Sequence, residues 1–370
     1  MTTSALTAGA AAPVEPRDHY LVFLEGVTPG RRIRLGERPL RIGRHAANEL
    51  AIADHRVSGH HCELSLAPMT PSIRVVDLGS TNGTYVEGRR VEGRDWLAPG
   101  EILRFGDQVV RHEHLTRTEA QHAEAQQKDI EKARHYVESL LPAPLLEGPV
   151  RASWSYVPSA HLGGDAFGYS LLDQHTFGIY LIDVSGHGVG AAMHSVSVMN
   201  VMRQRALPGC DFREPAQVLR SLNDMFQMEK HDGMFFSMWY GVYDLASRVM
   251  RFASAGHHAS YLVGADRQHA QALRTRNLVV GAKPPGGAFL SDETLVTQGA
   301  VLYVFSDGVF EIDTPAGAQL GLAGFTPLLQ QPAADAAHEA RRIHDAVKAR
   351  AKPGPLADDF TLLAVTFPSN

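Results

Sequence analysis

The stretch TFGIYLIDVSGHG, residues 176–188, decides the fold of the second half of the chain. Its first part, TFGIYLI, is an apolar run rich in aromatic and β-branched side chains, which predicts a buried strand. The run ends at Asp183, and the glycines that follow predict a loop directly after it. An acidic side chain therefore stands where a buried strand passes into a loop.

Three further segments place aspartate beside glycine or at the end of an apolar run: LGGD at 162–165, FSDG at 305–308 and ADDFT at 357–361. A single aspartate of this kind is most often a turn or cap residue. Hard divalent cations prefer oxygen ligands, however, and carboxylates from distant segments can converge at strand ends to bind two of them. Because four such segments occur in the same part of the chain, a shared metal site is a better explanation than four separate turns.

The chain around these segments predicts a mixed α/β domain. Helices are expected at 189–207, at 215–230 and, late in the chain, at 333–351. Buried strands lie between them, for instance MFFSMWYGVYDL. We expect this domain to occupy residues 142–370.

The order of the motifs GGD, DVSGHG, AGH, SDG and DD resembles that of the metal-dependent phosphatases of the protein phosphatase 2C superfamily, specifically their bacterial SpoIIE-type branch. The resemblance covers about residues 145–367. It implies an α-β-β-α sandwich, in which two central sheets are flanked by helices. It also implies a centre of two Mn²⁺ or Mg²⁺ ions at one edge between the sheets.

The resemblance further assigns roles to individual residues. The implied ligands are Asp183 bridging both ions, Asp165 and the Val184 carbonyl on one ion, and Asp307 and Asp358 on the other, with Asp359 as a weaker candidate. Many SpoIIE-type enzymes carry a second aspartate three positions after GGD. This chain has Gly168 there, so one outer acid is absent.

The implied activity is hydrolysis of phosphoserine or phosphothreonine proteins without a covalent phosphoenzyme, typically on phosphorylated anti-sigma-factor antagonists. Neither Cys62 nor Cys210 lies in the CxxxxxR context of a cysteine-based phosphatase. His187 and His257 stand in glycine-rich motifs, where each either protonates the leaving oxygen or only shapes its loop. Gly168 keeps an alternative open, which is a phosphopeptide-binding scaffold with an inactive phosphatase domain.

Short β-type runs separated by turn residues fill the chain from Tyr20 to about Leu115 and predict an all-β sandwich. Three clusters fall at its strand ends: Gly43-Arg44, RVSGHH at 56–61 and DLGSTNGT at 77–84. Arginine offers a planar fork of donors to phosphate, serine a hydroxyl, and asparagine an amide that pairs with a peptide backbone. Taken singly, each cluster is better explained as a turn or a surface charge, because Asn-Gly between β runs is a strong hairpin signal.

Together, the order Gly-Arg, Ser-x-x-His and Asn-Gly resembles the forkhead-associated (FHA) domain, here at residues 17–115. The resemblance implies binding of phosphothreonine peptides. The implied contact residues are Arg44, Arg56, Ser58, Thr81 and Asn82, while Gly43 and His61 hold the loops in shape. Gly59 stands where family members often carry Arg or Asn, so one polar contact to the ligand is absent.

Residues 116–141 lie between the two domains and contain neither glycine nor proline, which predicts a helical linker that ends at Pro142. In its second half, apolar residues spaced three and four apart form a stripe on one face: Ile130, Ala133, Val137 and Leu140. Two interpretations fit this stripe. The helix packs on the following domain, or it joins two protomers of a homodimer.

Composition excludes several classes of protein. The formal charge of −5 argues against a general nucleic-acid binder, and no apolar run approaches the roughly 20 residues that cross a bilayer. Two cysteines are too few for a disulfide framework or a zinc site. Residues 1–16 lack the features of a secretion signal and predict a disordered tail. We therefore expect a cytoplasmic protein without contact to nucleic acid or membrane. The two resemblances imply a phosphorylated protein as its substrate and a phosphothreonine-containing protein as its partner.

Overall fold

The computed structural model describes residues 15–158, 162–186, 188–332, 334–352 and 356–368. The chain divides into two units, residues 1–129 and 130–370. His187 and most of the predicted tail lie outside the described residues. Among the described helices, none combines the length and apolarity needed to span a membrane.

The first unit is a β-sandwich. Its strands are β1 (Arg17–Glu25), β2 (Arg32–Arg34), β3 (Leu40–Gly43), β4 (Leu50–Ala51), β5 (Cys62–Leu66), β6 (Ile73–Asp77), β7 (Thr84–Val86), β8 (Arg89–Arg90), β9 (Arg94–Leu97), β10 (Ile102–Phe105) and β11 (Gln108–Thr116). They form two sheets with the strand orders β2-β1-β11-β10-β7-β8 and β4-β3-β5-β6-β9. Leu21, Ile42, Leu64 and Phe105 belong to one buried core to which both sheets contribute. The all-β sandwich predicted from the sequence is confirmed.

Strand register in the second of these sheets brings the three predicted clusters to one edge. Ile42 at the end of β3 pairs with Cys62 at the start of β5, and Cys62 pairs with Asp77 at the end of β6. The chain segments that leave β3, enter β5 and leave β6 therefore emerge side by side. In β5, Cys62 and Leu64 point into the core, as the period of two for a strand requires.

Helix α1 (Arg117–Leu140) follows β11 directly, and the boundary between the two units falls within it. A capping box starts the helix, since the Glu119 backbone N–H donates to Thr116 Oγ1 at 3.1 Å and the Thr116 N–H donates to Glu119 Oε2 at 2.8 Å. Glu119 also forms an ion pair with Arg17 of β1 at 2.9 Å. Near the other end, Val137 is buried and Leu140 packs on the core of the second unit. For Leu140 the packed-helix interpretation holds.

The second unit contains the remaining elements. They are the strands β12 (Arg151–Val157), β13 (Asp165–Leu171), β14 (Thr176–Val184), β15 (Phe236–Asp244), β16 (Val249–Ala255), β17 (Ser260–Val263), β18 (Ala270–Leu273), β19 (Asp292–Leu295), β20 (Val301–Phe305) and β21 (Phe360–Thr366), and the helices α2 (Val189–Gln204), α3 (Pro215–Met225), α4 (Gly321–Leu329) and α5 (Glu339–Lys348). The strands form two sheets with the orders β12-β21-β20-β17-β18 and β13-β14-β15-β16-β19. Their described pairings are antiparallel.

These elements form four layers. Helices α2 and α3 pack on the sheet that contains β13 to β16, and α5 packs on β12 and β21 of the other sheet. Leu181, Trp239, Val304 and Leu363 belong to a buried core to which both sheets contribute. The α-β-β-α sandwich is confirmed.

The predicted starts of α2 and α3 are confirmed, but the other predicted helix ends in this unit were wrong by several residues. Helix α2 stops at Gln204 because Arg205 adopts the left-handed conformation, with φ of 53°. Helix α3 stops at Met225 and is followed by a separate 3₁₀ turn, Met228–Lys230. Helix α5 begins only at Glu339, several residues after the predicted start at 333.

Candidate functional site

The predicted metal ligands lie at strand ends of the two sheets of the second unit. Asp165 opens β13 and pairs directly with Asp183 near the end of β14. Two residues on β14, Ile179 and Leu181, share the face of Asp183 and belong to the core between the sheets. In the other sheet, the end of β20 pairs with the start of β21. Asp307 follows β20 by two residues and Asp358 precedes β21 by two residues.

Burial and mutual repulsion raise the pKa values of three of these carboxyl groups. The pKa of Asp165, which is 2% exposed, lies well above its ordinary value because of burial and then the charges of Asp183 and Asp359. Burial, followed by the charges of Asp307, Asp358 and Asp359, raises the pKa of Asp183 to about 8. Burial and the charge of Asp358 raise the pKa of Asp307 to about 6. The leading charge effects on all three groups come from other carboxylates, so the aspartates share one neighbourhood.

Bound divalent cations fit this neighbourhood. Carboxylate oxygens are the ligands that Mg²⁺ and Mn²⁺ prefer, and a cation would relieve the repulsion that raises the pKa values. A side chain at Gly164 would bring its Cβ to 2.9 Å from the Val184 carbonyl oxygen, so glycine keeps the space beside that predicted ligand open. The described residues nevertheless contain no group of three or more His, Cys, Asp or Glu side chains already arranged to hold an ion. Uncompensated carboxylates repel one another, and this repulsion opposes such an arrangement.

Asp358 and Asp359 differ in their surroundings more than their adjacency in sequence suggests. Asp358 is exposed, and its Oδ1 accepts a hydrogen bond from the Asp359 N–H at 2.8 Å. Asp359 is buried, and its Oδ2 accepts a bond from the Asp165 N–H at 3.4 Å. A Cβ at Gly163 would overlap the Asp359 carboxyl group. The residue that the sequence ranked lower thus lies deeper in the cluster.

Two buried hydroxyl groups support the cluster and were given no role by the sequence prediction. Thr361 Oγ1 donates to Asp165 Oδ2 at 2.5 Å. Ser306 Oγ donates to the Asp359 carbonyl oxygen at 3.0 Å and accepts from the Thr361 N–H at 3.2 Å. The only sequence signal for them is their place beside the predicted ligands in the motifs FSDG and ADDFT.

Of the two candidate histidines, only His257 lies within the described residues. It is 2% exposed, and burial lowers its pKa well below the ordinary value, so its imidazole is neutral at neutral pH. Its Nδ1 lies 3.0 Å from the His258 carbonyl oxygen, and the two rings are 4.2 Å apart. These contacts favour a role in loop geometry for His257 over one as a proton donor.

Gly168 faces away from the aspartates. It pairs with Tyr180 across β13 and β14, and a Cβ at this position would overlap the Tyr180 phenol. Residues three apart on a strand point to opposite faces, so an acid at 168 would lie on the other side of the sheet from Asp165. The departure from the family pattern therefore leaves the inner carboxylates in place.

In the first unit, the predicted phosphate-binding residues meet across three loops. The Arg44 N–H donates to the Ser58 carbonyl oxygen at 2.8 Å. Ser58 Oγ accepts from the Thr81 N–H at 3.0 Å and donates to Thr81 Oγ1 at 3.4 Å. Asn82 Nδ2 donates to the Arg56 carbonyl oxygen at 2.7 Å. The structure thus brings together all five residues that the sequence selected.

Buried residues beneath these loops fix their shape. His61 Nδ1 accepts from the Ser58 N–H at 3.0 Å, so its Nε2 carries the proton and donates to the Gly83 carbonyl oxygen at 3.2 Å. Burial lowers the pKa of His61, which favours this neutral form. A Cβ at Gly43 would overlap the Gly59 carbonyl oxygen, so this close approach requires glycine.

Arg56 and Gly59 limit what the site offers to a ligand. The Arg56 guanidinium forms an exposed ion pair with Asp107, with Nη1 and Oδ1 3.0 Å apart. This ion pair uses one of the five N–H donors of Arg56 and competes with a phosphate for its charge. A Cβ at Gly59 would meet no atom within 4 Å, so the space that a larger residue would fill is open.

Comparisons with known proteins assign a different family model to each of the two units of the chain. A family model described as Stage II sporulation protein E (SpoIIE) matches residues 173–368, and an FHA domain model matches residues 40–106. The phosphoserine phosphatase RsbP of Bacillus subtilis is 26% identical over 194 residues, which are 50% of this chain and 45% of RsbP. The FHA domain-containing protein FhaB of Mycolicibacterium smegmatis is 37% identical over 105 residues, which are 28% of this chain and 66% of FhaB. The chain thus spans less than two thirds of either relative.

A solved structure shows the same fold for the second unit. The SiaA-PP2C domain of Pseudomonas aeruginosa superposes with a TM-score of 0.57 at 21% identity, over 67% of this chain and 99% of that domain. The SpoIIE match alone extends over more than half of the chain. The chain therefore belongs to the SpoIIE family, with a phosphatase fold of the PP2C type preceded by an FHA domain.

Proposed function

We propose that this chain is a metal-dependent phosphatase that hydrolyses phosphoserine or phosphothreonine in proteins. The observation that carries the proposal is the shared neighbourhood of four aspartates from separate strand ends, Asp165, Asp183, Asp307 and Asp358. Perturbed carboxyl groups gathered in this way are typical of functional sites. Structural ion pairs do not explain them, since the leading charges around them are of the same sign.

In this proposal the chain's own residues hold the ions and shape the site. Asp183 would contribute to both ion sites, Asp165 and the Val184 carbonyl would complete one of them, and Asp307 and Asp358 would complete the other. When bound, two Mn²⁺ or Mg²⁺ ions lower the pKa of water and neutralise the charge of the transferring phosphoryl group. Gly308 allows the chain after Asp307 to approach the Asp359 carbonyl, which a Cβ at this position would overlap.

The similarity to RsbP suggests the substrate class. RsbP is a phosphoserine phosphatase by name, and its similarity to this chain covers half of the chain. A phosphorylated protein, such as an anti-sigma-factor antagonist, is therefore the proposed substrate.

The FHA domain, at about residues 17–115, would bind a phosphothreonine-containing protein for targeting or regulation. Support comes from the loop geometry, in which Ser58 and Thr81 hydroxyls lie within 3.4 Å of each other beside the exposed Arg44. Guanidinium and hydroxyl groups together suit a phosphate dianion. The similarity to FhaB covers the same part of the chain.

A scaffold with an inactive phosphatase domain is the second candidate. The absence of an outer acid at Gly168 keeps it open, although this position lies on the other side of the sheet from Asp165. The two candidates differ in one measurable property, which is turnover in the presence of metal.

The test measures hydrolysis of an aryl phosphate and of a phosphoserine protein by the full chain with Mn²⁺, Mg²⁺ or EDTA. We expect turnover only with metal, and Asp183→Asn should remove most of it because a bridging carboxylate is lost at nearly constant volume. Asp173→Asn is the matched control, since Asp173 is exposed in the turn between β13 and β14. Activity that survives EDTA, or an unchanged rate in Asp183→Asn, would refute the assignment; no turnover with any metal would favour the scaffold.

A further inference from the structure

Thr361 connects the two sheets of the phosphatase unit at the aspartate cluster. It lies in β21, fully buried, on the same strand face as Leu363, which belongs to the core between the sheets. Its Oγ1 donates to Oδ2 of Asp165, which opens β13 in the other sheet. This hydroxyl thus reaches from one sheet to a proposed metal ligand on the other.

Both polar groups of the Thr361 main chain are bonded to Ser306, which restrains the position of its hydroxyl. The Ser306 N–H donates to the Thr361 carbonyl oxygen at 3.0 Å, and the Thr361 N–H donates to Ser306 Oγ at 3.2 Å. A β-branched side chain also has few rotamers available on a strand. Thr361 therefore presents its hydroxyl to the Asp165 carboxylate from a restrained position.

The same bonds reach the proposed ligands of the second ion. Ser306 directly precedes Asp307, and its Oγ donates to the carbonyl oxygen of Asp359, the residue after Asp358. The Thr361 and Ser306 hydroxyls therefore fix the carboxylate of Asp165 and the main chain beside Asp307 and Asp358 in one hydrogen-bonded unit. A shift at one of these positions would therefore displace the others.

We infer that Thr361 is a positioning residue of the metal centre, whose hydroxyl occupies Asp165 Oδ2 so that Oδ1 would be the oxygen that holds an ion. This inference rests on the proposed metal-dependent function. An ionised carboxylate only accepts hydrogen bonds, so the Thr361 hydroxyl satisfies one oxygen of Asp165 and prevents the group from rotating. Groups that orient metal ligands in this way typically change metal affinity or activity by about 10- to 100-fold when they are removed.

The experiment measures Mn²⁺ binding to the full chain without substrate, by the electron paramagnetic resonance signal of free Mn²⁺. Thr361→Val keeps the shape of the side chain and removes the hydroxyl, and we expect about 10- to 100-fold weaker Mn²⁺ binding. Thr361→Ser restores a hydroxyl and should bind Mn²⁺ nearly as tightly as the unaltered chain. Rescue by serine separates the hydrogen bond from simple packing.

The first unit offers a matched control. Thr84 is also fully buried, and its Oγ1 donates to Asp77 Oδ1 at 2.6 Å. Thr84→Val removes the same kind of bond without touching the aspartate cluster, so Mn²⁺ affinity should stay unchanged. Equal losses in Thr84→Val and Thr361→Val would show a general folding defect and overturn the inference.

The remaining outcomes separate this inference from the function on which it rests. If the unaltered chain binds no Mn²⁺, the proposed function itself fails. If the unaltered chain binds Mn²⁺ and Thr361→Val binds it equally well, only the role of Thr361 is refuted. Should Thr361→Val lose its circular dichroism spectrum, the smaller Thr361→Ala carries the same comparison with Thr361→Ser.

Discussion

Arg44 and Arg56 have different surroundings, although the FHA resemblance gives both the same role. Arg44 is exposed, and its backbone is bonded to Ser58. The Arg56 guanidinium already pairs with Asp107. An exposed ion pair contributes little to stability, but a phosphate would compete with Asp107 for the charge and one donor of the Arg56 guanidinium. Its net contribution to phosphate affinity should therefore be smaller than that of Arg44.

We expect Arg44→Ala to weaken binding of a phosphothreonine peptide by roughly 1.5–3 kcal/mol, because a charge-assisted hydrogen bond is lost. Arg56→Ala should weaken binding less. Arg38→Ala is a suitable control, since Arg38 is equally exposed but lies before β3, away from Arg44. Isothermal titration with phosphorylated and unphosphorylated peptides measures these differences. Unchanged affinity in Arg44→Ala would exclude the proposed contact.

The aspartate cluster predicts how the stability of the metal-free protein depends on pH. An unfolded aspartate has a pKa near 4, whereas that of folded Asp183 is raised to about 8. Between these values the folded state binds more protons than the unfolded state, so the free energy of unfolding falls as pH rises through this window. In EDTA, the melting temperature should therefore be lower at pH 8 than at pH 6.

Other groups titrate in the same range, so the test compares slopes. Asp183→Asn removes this titration and should show a smaller fall in melting temperature between pH 6 and pH 8. Mn²⁺ added at pH 8 should raise the melting temperature of the unaltered chain, because the cation binds the charged carboxylates. Identical pH profiles for the two proteins would contradict the prediction that ionisation of Asp183 lowers the stability of the metal-free protein.

At the residue scale, the site residues that could be predicted are those marked by residue type and by the order of motifs. Asp183 and Asp165 could be predicted because each stands where an apolar run meets glycines. The contrast between exposed Asp358 and buried Asp359 could not, because it depends on how the chain enters β21. The bond from Thr361 to Asp165 joins two different sheets and has no local signature.

At the scale of elements, the long apolar strands could be predicted, whereas short or mixed strands such as β13 and β18 and the helix α4 could not. A strand can be predicted from apolar residues that recur with a period of two. Strands β14 and β15 can also be predicted because they are long and almost wholly apolar. Helix α4 contains Gly324 and Pro327, both of which disfavour helix. Its burial of Phe325 and Leu328 outweighs this local preference, and such tertiary packing is invisible in a single sequence.

Helix α1 combines a predictable start with a less predictable second half. Thr116 and Glu119 form the capping box that the spacing S/T-x-x-E favours. Leu140 packs on the core of the second unit and Val137 is buried, whereas Ile130 remains only half-buried and Tyr136 is 59% exposed. The predicted homodimer stays a proposal, because the partial exposure of this helix does not identify what would bind to it.

On the scale of the whole molecule, α1 is the element that joins the two units. Glu119 bonds it to Arg17 of β1, and the Leu140 carbonyl oxygen accepts from Arg203 of α2 at 3.2 Å. Helix α2 begins a few residues after Asp183. A change in the FHA unit that moves α1 would thus act on a helix next to the proposed metal centre.

Coupling requires that a phosphopeptide bind one conformational state better than another, since equal affinity shifts no equilibrium. We expect a saturating phosphothreonine peptide to change the turnover of a small aryl phosphate by the full chain. A small substrate cannot be delivered by tethering, so a changed rate must be conformational. Arg44→Ala should abolish the effect while leaving the basal rate unchanged, because Arg44 lies in the other unit. If the peptide binds and the rate stays constant, α1 is a passive tether, and the FHA domain acts only by bringing phosphorylated proteins to the phosphatase.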